Sequence, residues 1–280
     1  MSADGLDRDS DAVTWTVTPQ WTVAERTMLY ATATRDFKSG GFNTGFGALP
    51  ISSREFDDEE VSSYEAGIKT ELWDRRVRLN ANAFYATYDD HQDAAFVGAQ
   101  FTVGNAERAE LKGIELEGNA LLSDTLTADF AISYADLVYD KYTSGQCHPD
   151  RVPDDPVNGA CDLSGEHPVN APEWKTHVGL VYERPVSWGD AYARVDWSYT
   201  SEYNTSFSAD PLRVQDGYDW VNLRIGSRWS SYELMLWADN LTDETVAMFD
   251  AVLNIYAGDH SYQSHLDTPR TVGVTFRVTY

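Results

Sequence analysis

Two cysteines, six histidines and 45 acidic side chains are the residues of this chain whose types admit chemistry. Cys147 and Cys161 have thirteen residues between them, so they are either a pair that staples one segment or two separate thiols. His91, His148, His167, His177, His260 and His265 are scattered, and no Cys/His spacing of a metal site appears among them. There is no Gly-x-Ser-x-Gly elbow and no phosphate-cradling glycine loop ahead of a helix, so the sequence supports neither catalysis nor a cofactor. The acidic runs Asp57-Asp-Glu-Glu60 and Asp150–Asp162 suit either a cationic, metal-bearing ligand or a solvated rim, and the rim is the favoured reading. A formal charge of -24 argues against nucleic acid as a partner.

The elements that must carry these residues are strands. Thr271-Val-Gly-Val-Thr-Phe-Arg-Val-Thr-Tyr280 alternates strictly, with Val272, Val274, Phe276, Val278 and Tyr280 on one face. The same period of two sets Val77, Leu79, Ala81, Ala83 and Tyr85 against Arg76, Arg78, Asn80 and Asn82. It also sets Ala191, Ala193, Val195, Trp197 and Tyr199 against Tyr192, Arg194, Asp196 and Ser198. Eleven segments read this way: 12–23, 27–37, 60–73, 76–88, 109–122, 125–139, 172–184, 191–201, 217–229, 232–239 and 268–280. A ten-residue strand tilted near 45° spans on the order of 23 Å, enough for the apolar band of an outer-membrane barrel.

Connection lengths decide between a barrel and a soluble sandwich. Short links (24–26, 74–75, 123–124, 185–190, 230–231) alternate without exception with long ones (38–59, 89–108, 140–171, 202–216, 240–267). Outer-membrane barrels have short periplasmic turns on one rim and long extracellular loops on the other. The expected fold is therefore all-β, an antiparallel transmembrane β-barrel, with 9 Trp, 16 Tyr and 11 Phe available for its aromatic girdles. No run of 18 apolar residues exists, so no transmembrane helix is expected. An odd strand count, and Pro19 within the first strand, suit a cut barrel whose upstream strands are missing. Residues 1–280 read as one barrel domain, with 1–11 as loop or disordered chain and no signal peptide at the N-terminus.

On this reading Cys147 and Cys161 share an external loop, where a disulfide is permitted. Closing about 15 residues contributes roughly 3 kcal/mol in the chain-entropy model. Glu65, Lys69, Arg78, Asn80, Glu115, Glu117, Arg194, Asp196, Arg224 and Arg228 face the lumen and balance one another across strands. Phe42, Phe46, Phe96, Phe101 and Tyr256 are loop aromatics able to stack on a ligand, with nothing to single one out.

Several segments resemble TonB-dependent receptors. They are Met28-Leu-Tyr-Ala-Thr-Ala-Thr-Arg-Asp-Phe-Lys-Ser-Gly-Gly-Phe-Asn43, Ser63-Tyr-Glu-Ala-Gly-Ile-Lys-Thr-Glu-Leu72 and Leu79-Asn-Ala-Asn-Ala-Phe-Tyr85. Gly113-Ile-Glu-Leu-Glu117, Asn170-Ala-Pro-Glu-Trp174, Ala238-Asp-Asn-Leu-Thr-Asp-Glu244 and Pro269-Arg-Thr-Val-Gly273 follow in order, so the resemblance covers residues 12–280. It implies the C-terminal half of a barrel of about 22 strands in the bacterial outer membrane. It further implies import of an iron–siderophore or other large nutrient, energised by the inner-membrane TonB complex. The family's plug domain, TonB box and earlier strands have no counterpart here, so the chain is not expected to transport alone. TonB would be met only through that plug. Outer-membrane lipid and the barrel-assembly machinery are the other implied partners. For the latter, Gly273, Phe276, Val278 and Tyr280 resemble a C-terminal assembly signal. The rival readings are a small passive porin and a soluble carbohydrate-binding β-protein.

Overall fold

The computed structural model describes residues 6–44, 54–97, 100–252 and 262–279. Twelve ladder segments form one antiparallel sheet, and two of them are halves of a single first strand lying on the same neighbour. In chain order these are β1 (Trp15–Val17, continued by Gln20–Ala24), β2 (Thr27–Lys38), β3 (Glu59–Leu72) and β4 (Val77–Val97). Then come β5 (Gln100–Ser123), β6 (Leu126–Lys141), β7 (Trp174–Val186) and β8 (Gly189–Thr200). β9 (Tyr218–Trp229), β10 (Tyr232–Asp239) and β11 (Thr271–Val278) complete the wall. Each strand pairs with the next in sequence, as expected from the alternation. Among the described residues β1 and β11 are each paired on one side only.

Pro19 interrupts β1 because it has no N–H for the ladder; its carbonyl still accepts the Ala31 amide at 3.1 Å. An edge strand tolerates this, since one side carries no partner. Two-residue turns at 25–26, 124–125, 187–188 and 230–231 and a four-residue turn at 73–76 close one end. Trp73, Asp74 and Arg75 all adopt positive φ there, and Arg76 N bonds Trp73 O at 3.1 Å.

One long connection differs from expectation. Residues 89–97 and 100–108, within the connection read as a loop, instead continue the β4–β5 ladder, with His91 opposite Ala106 and Phe96 opposite Phe101. The Asp89-Asp90 pair looks like a turn in sequence. In the structure Asp90 takes a left-handed φ of 54° and is absorbed as an irregularity between two regular stretches. Aspartate tolerates that conformation better than most residues.

The alternation gives two faces. Val272 (73 % exposed), Val274 (67 %) and Phe276 (58 %) line the outward face with Ile114, Leu180, Val195, Ile225, Leu234 and Leu236. Apolar side chains on a continuous wall with no protein over them are the reverse of a soluble fold. The small buried core lies at the loop end, where Ala106, Ala109 and Tyr139 meet Tyr142, Cys161 and Leu163. Cys147 and Cys161 are bonded, with Cα atoms 5.1 Å apart. The N-terminal segment is irregular from Leu6, and Arg8 binds Glu55 Oε1 at 2.7 Å and Asp58 Oδ1 at 3.0 Å.

Candidate functional site

The inner face carries a continuous charge ladder across β6 to β10. Arg194 on β8 bonds Asp129 on β6 at 3.0 Å and Asp196 at 2.8 Å. Arg224 on β9 reaches Asp196 at 3.3 Å and Asp239 on β10 at 3.2 Å. His177 Nε2 on β7 lies 3.2 Å from Asp129 Oδ2. Toward the turns Arg228 binds Glu183 at 2.7 Å, while Glu233 collects Tyr192 and Arg277, each at 2.8 Å. Asn80 donates to Glu117 at 2.8 Å and Asn82 to Glu115 at 3.1 Å. Apart from the buried Asp196 and Tyr192 these groups are partly exposed, so each exposed pair contributes at most about 1 kcal/mol, and their main consequence is a polar, pre-arranged inner wall.

At the loop end two hairpins lock together. Tyr203–Asn204 pairs with Val214–Gln215, and Ala247–Val252 with Tyr262–Leu266. Asp250, nearly buried, accepts Thr205 Oγ1 at 2.5 Å and the Ser264 hydroxyl. Asp210, 1 % exposed, accepts the Tyr262 hydroxyl at 2.7 Å and the Leu212 amide at 2.9 Å. The Arg213 guanidinium lies 3.3 Å from the Tyr262 ring centre. Burial and the charge of Asp210 push the Tyr262 hydroxyl up to about 12, so it stays a donor at neutral pH. Both carboxylates are bonded on each oxygen, which rigidifies the loop, while the buried Arg213 Nε has no hydrogen-bond partner among the described residues.

This frame holds an aromatic cluster drawn from three connections. Phe101 near the β4–β5 tip meets Phe207 edge-on at 5.9 Å, and Phe207 meets Phe249 at 5.2 Å. Phe249 stacks on His265 at 6.0 Å. Phe101 remains 59 % exposed. Pre-positioned ring faces at a polar mouth offer π-stacking to a planar or aromatic ligand.

A wall of alternating strands with an ionic inner face and a braced mouth is matched in sequence by one family description. Residues 2–241 match "TonB dependent receptor-like, beta-barrel". The chain belongs to the TonB-dependent receptor family. Its place is accordingly the bacterial outer membrane, and it is a receptor barrel in a family of receptors and transporters.

Among curated relatives of this receptor, the metal-pseudopaline receptor CntO of Pseudomonas aeruginosa is 30 % identical over 110 residues. That stretch is 39 % of this chain and 14 % of CntO. The ferric yersiniabactin uptake receptor FyuA of Yersinia pestis shares the fold at TM-score 0.71 and 18 % identity, over 94 % of this chain and 36 % of FyuA. The siderophore receptor PiuA of Acinetobacter baumannii gives 0.70 and 17 %, over 95 % of this chain and 36 % of PiuA. The chain thus spans about a third of the length of these receptor structures.

Within the receptor wall, the inward charges named from sequence do pair across strands. Lys69 lies over the Tyr30 ring at 5.6 Å, and Tyr30 bonds Glu65. Of the loop aromatics, the structure brings Phe101 into a cluster, with partners Phe207, Phe249 and His265 that sequence spacing did not select. Phe46, Tyr256 and the side chain of Phe96 lie outside the described residues. The acidic runs are consumed internally. Asp58 holds Arg8, Ser10 and the Gly40 amide, whose bond is the main cause of its lowered pKa. Glu59 binds His91 at 2.9 Å. Asp154, Asp155 and Asp162 accept turn amides. Gly273 faces inward beneath the Trp237 indole, while Phe276 and Val278 face outward, as the alternation places them. Tyr280 lies outside the described residues.

Proposed function

We propose that this wall is part of a receptor that takes up a ferric siderophore or another large nutrient, recognised at the loop end by Phe101, Phe207 and Phe249. The observation that carries this reading is the convergence of those three rings on a frame of buried, satisfied carboxylates. Structural relatives described as siderophore receptors support the ligand class. The outward apolar face sits in lipid, and Phe276 and Val278, with Tyr280, present the barrel-assembly machinery with its recognition strand. Domain-wise, residues 1–280 act as barrel wall, and transport by the whole receptor draws on a plug and TonB rather than on this wall alone.

Affinity for a panel of ferric catecholate and hydroxamate complexes is the direct test, read by tryptophan quenching of the membrane-extracted protein. Replacing Phe207 and Phe249 together by Ala should weaken the bound complex about tenfold or more, since stacking contributes on the order of 1 kcal/mol per ring pair. Heat-modifiable migration should be unaltered. An unchanged affinity for every complex that binds would remove the mouth from recognition.

A further inference from the structure

We infer that Asp136, His167 and Glu173 form a divalent transition-metal site that clips the base of the 142–173 connection to β6 and β7. Asp136 belongs to β6, His167 to the connection itself, and Glu173 immediately precedes β7. Each offers a ligand atom, and the three atoms lie within 4.8 Å of one another. This reading does not depend on the nutrient recognised at the mouth.

The histidine is already oriented for a ligand. Its Nδ1 lies 3.0 Å from the Leu137 carbonyl oxygen, which only accepts, so the ring proton resides on Nδ1. Nε2 is then a bare lone pair, 3.9 Å from Glu173 Oε1. Fixing one imidazole nitrogen on a backbone carbonyl is the arrangement that holds metal-binding histidines in place. A separation of 3.9 Å exceeds a hydrogen bond and is wider than the roughly 3.3–3.6 Å between tetrahedral ligands at about 2.0–2.2 Å each, so the side chains close on an ion by about half an ångström.

The charges agree. Asp136 Oδ2 is held by Lys112 Nζ at 3.0 Å, while its Oδ1 lies 3.9 Å from His167 Nδ1, the protonated nitrogen, so a turn of the Asp136 side chain brings it to an ion on Nε2. Two carboxylates against one ammonium leave one negative charge for a cation to offset. One nitrogen and two carboxylate oxygens favour Zn²⁺ or its neighbours over Mg²⁺ and Ca²⁺, which take oxygen sets. Side-chain exposures of 14 % for Asp136, 37 % for His167 and 43 % for Glu173 leave an entry path and room for a coordinated water.

Occupation would brace a connection that already touches the mouth. The Asn204 side chain donates to the His167 carbonyl at 3.2 Å, and the Asn170 amide to Asn204 O at 2.9 Å. The disulfide Cys147–Cys161 staples the distal part of that connection, and the metal would clip its base.

The test is Zn²⁺ titration of the chelator-stripped, membrane-extracted protein against a fluorescent zinc indicator, with Co²⁺ absorption as a second readout. We expect one ion per chain, and a loss of affinity of about tenfold or more in His167→Ala and in Glu173→Gln. His91→Ala, remote from the triad, should bind like the parent. Lys112→Gln, which releases Asp136 Oδ2, should tighten binding several-fold and provides the reading should the ligand variants fail to insert. Absence of a stoichiometric ion, or equal affinity in parent, His167→Ala and Lys112→Gln proteins, would overturn the site.

Discussion

Asn240 shows how much a single side chain decides at the loop end. It is 1 % exposed and adopts a left-handed φ of 51°, a conformation asparagine tolerates. Its Oδ1 accepts the Glu244 amide at 2.9 Å, and its Nδ2 donates to the carbonyls of Glu244 and Thr268 at 2.9 and 3.2 Å. One residue thereby ties both stems of the β10–β11 connection. Asn240→Ala strands three part-buried backbone groups and adds left-handed strain, so it should cost about 1–3 kcal/mol locally. Hydrogen exchange at the Glu244 amide should accelerate accordingly; Asn240→Asp, keeping the acceptor, should lose less. Equal protection in all three proteins would refute the assignment. Asp155 is the pH-dependent counterpart. Hydrogen bonds from the Asn158 side chain, then from the Val157 and Asn158 amides, hold its carboxyl below its ordinary value of 3.8. A depressed folded pKa contributes stability that is full above the unfolded value and is lost as pH falls through the folded one. Protection of the Val157 and Asn158 amides, corrected for intrinsic rates, should therefore hold down to about pH 4 and collapse below it. Asp155→Asn should flatten that profile.

Among the strands, inward aromatics repeatedly lie on a glycine of the next strand. Tyr30 covers Gly67, Phe84 covers Gly113, Tyr192 covers Gly226 and Trp237 covers Gly273. A Cβ on Gly226 would stand 2.5 Å from the Tyr192 ring, and that ring also donates to Glu233 at 2.8 Å and carries Arg228 at 4.5 Å. Gly226→Ala should thus displace Tyr192 and cost roughly 1–3 kcal/mol by overpacking. Denaturant unfolding in micelles measures it, with Gly104→Ala as control because nothing lies within 4 Å of Gly104. Equal effects in both would show that contact with the Tyr192 ring was not at stake, since the loss of unfolded-chain entropy alone favours Ala. These pairs also mark what the sequence could and could not reveal. The alternation of Val77 to Tyr85, or of Thr271 to Thr279, reports strand and face directly, because both are local properties with period two. Register follows, since a slip of one residue would invert every face. The meeting of Phe101, Phe207 and Phe249, or of Asp136 with His167 and Glu173, depends on how separate connections fold over one another. No local pattern encodes that, so spacing left the histidines scattered. Asp89-Asp90 misled for the opposite reason: a local turn signal yielded to the ladder continuing on either side.

Across the whole wall, the two rims are chemically distinct, and this fixes how the receptor sits. Every connection at 25–26, 73–76, 124–125, 187–188 and 230–231 is a tight turn, and each of these closes the same end of the sheet. The opposite end carries the disulfide, the buried Asp210 and Asp250, and the aromatic cluster. In barrels of this kind short turns lie in the periplasm and long loops outside. Disulfides persist in oxidising surroundings, and a ligand must be met before it is carried inward. All three considerations put Gly159 outside and Ser230 inside. Gly159 has φ of 71° with nothing within 4 Å of a would-be Cβ, and Ser230 sits in a turn at φ of 51°, so both positions project from the wall. An epitope inserted at Gly159 should be labelled on intact cells, and one at Ser230 only after the outer membrane is permeabilised. Labelling of intact cells at Ser230 but not at Gly159 would invert the barrel and, with it, place the aromatic mouth on the wrong side for capture.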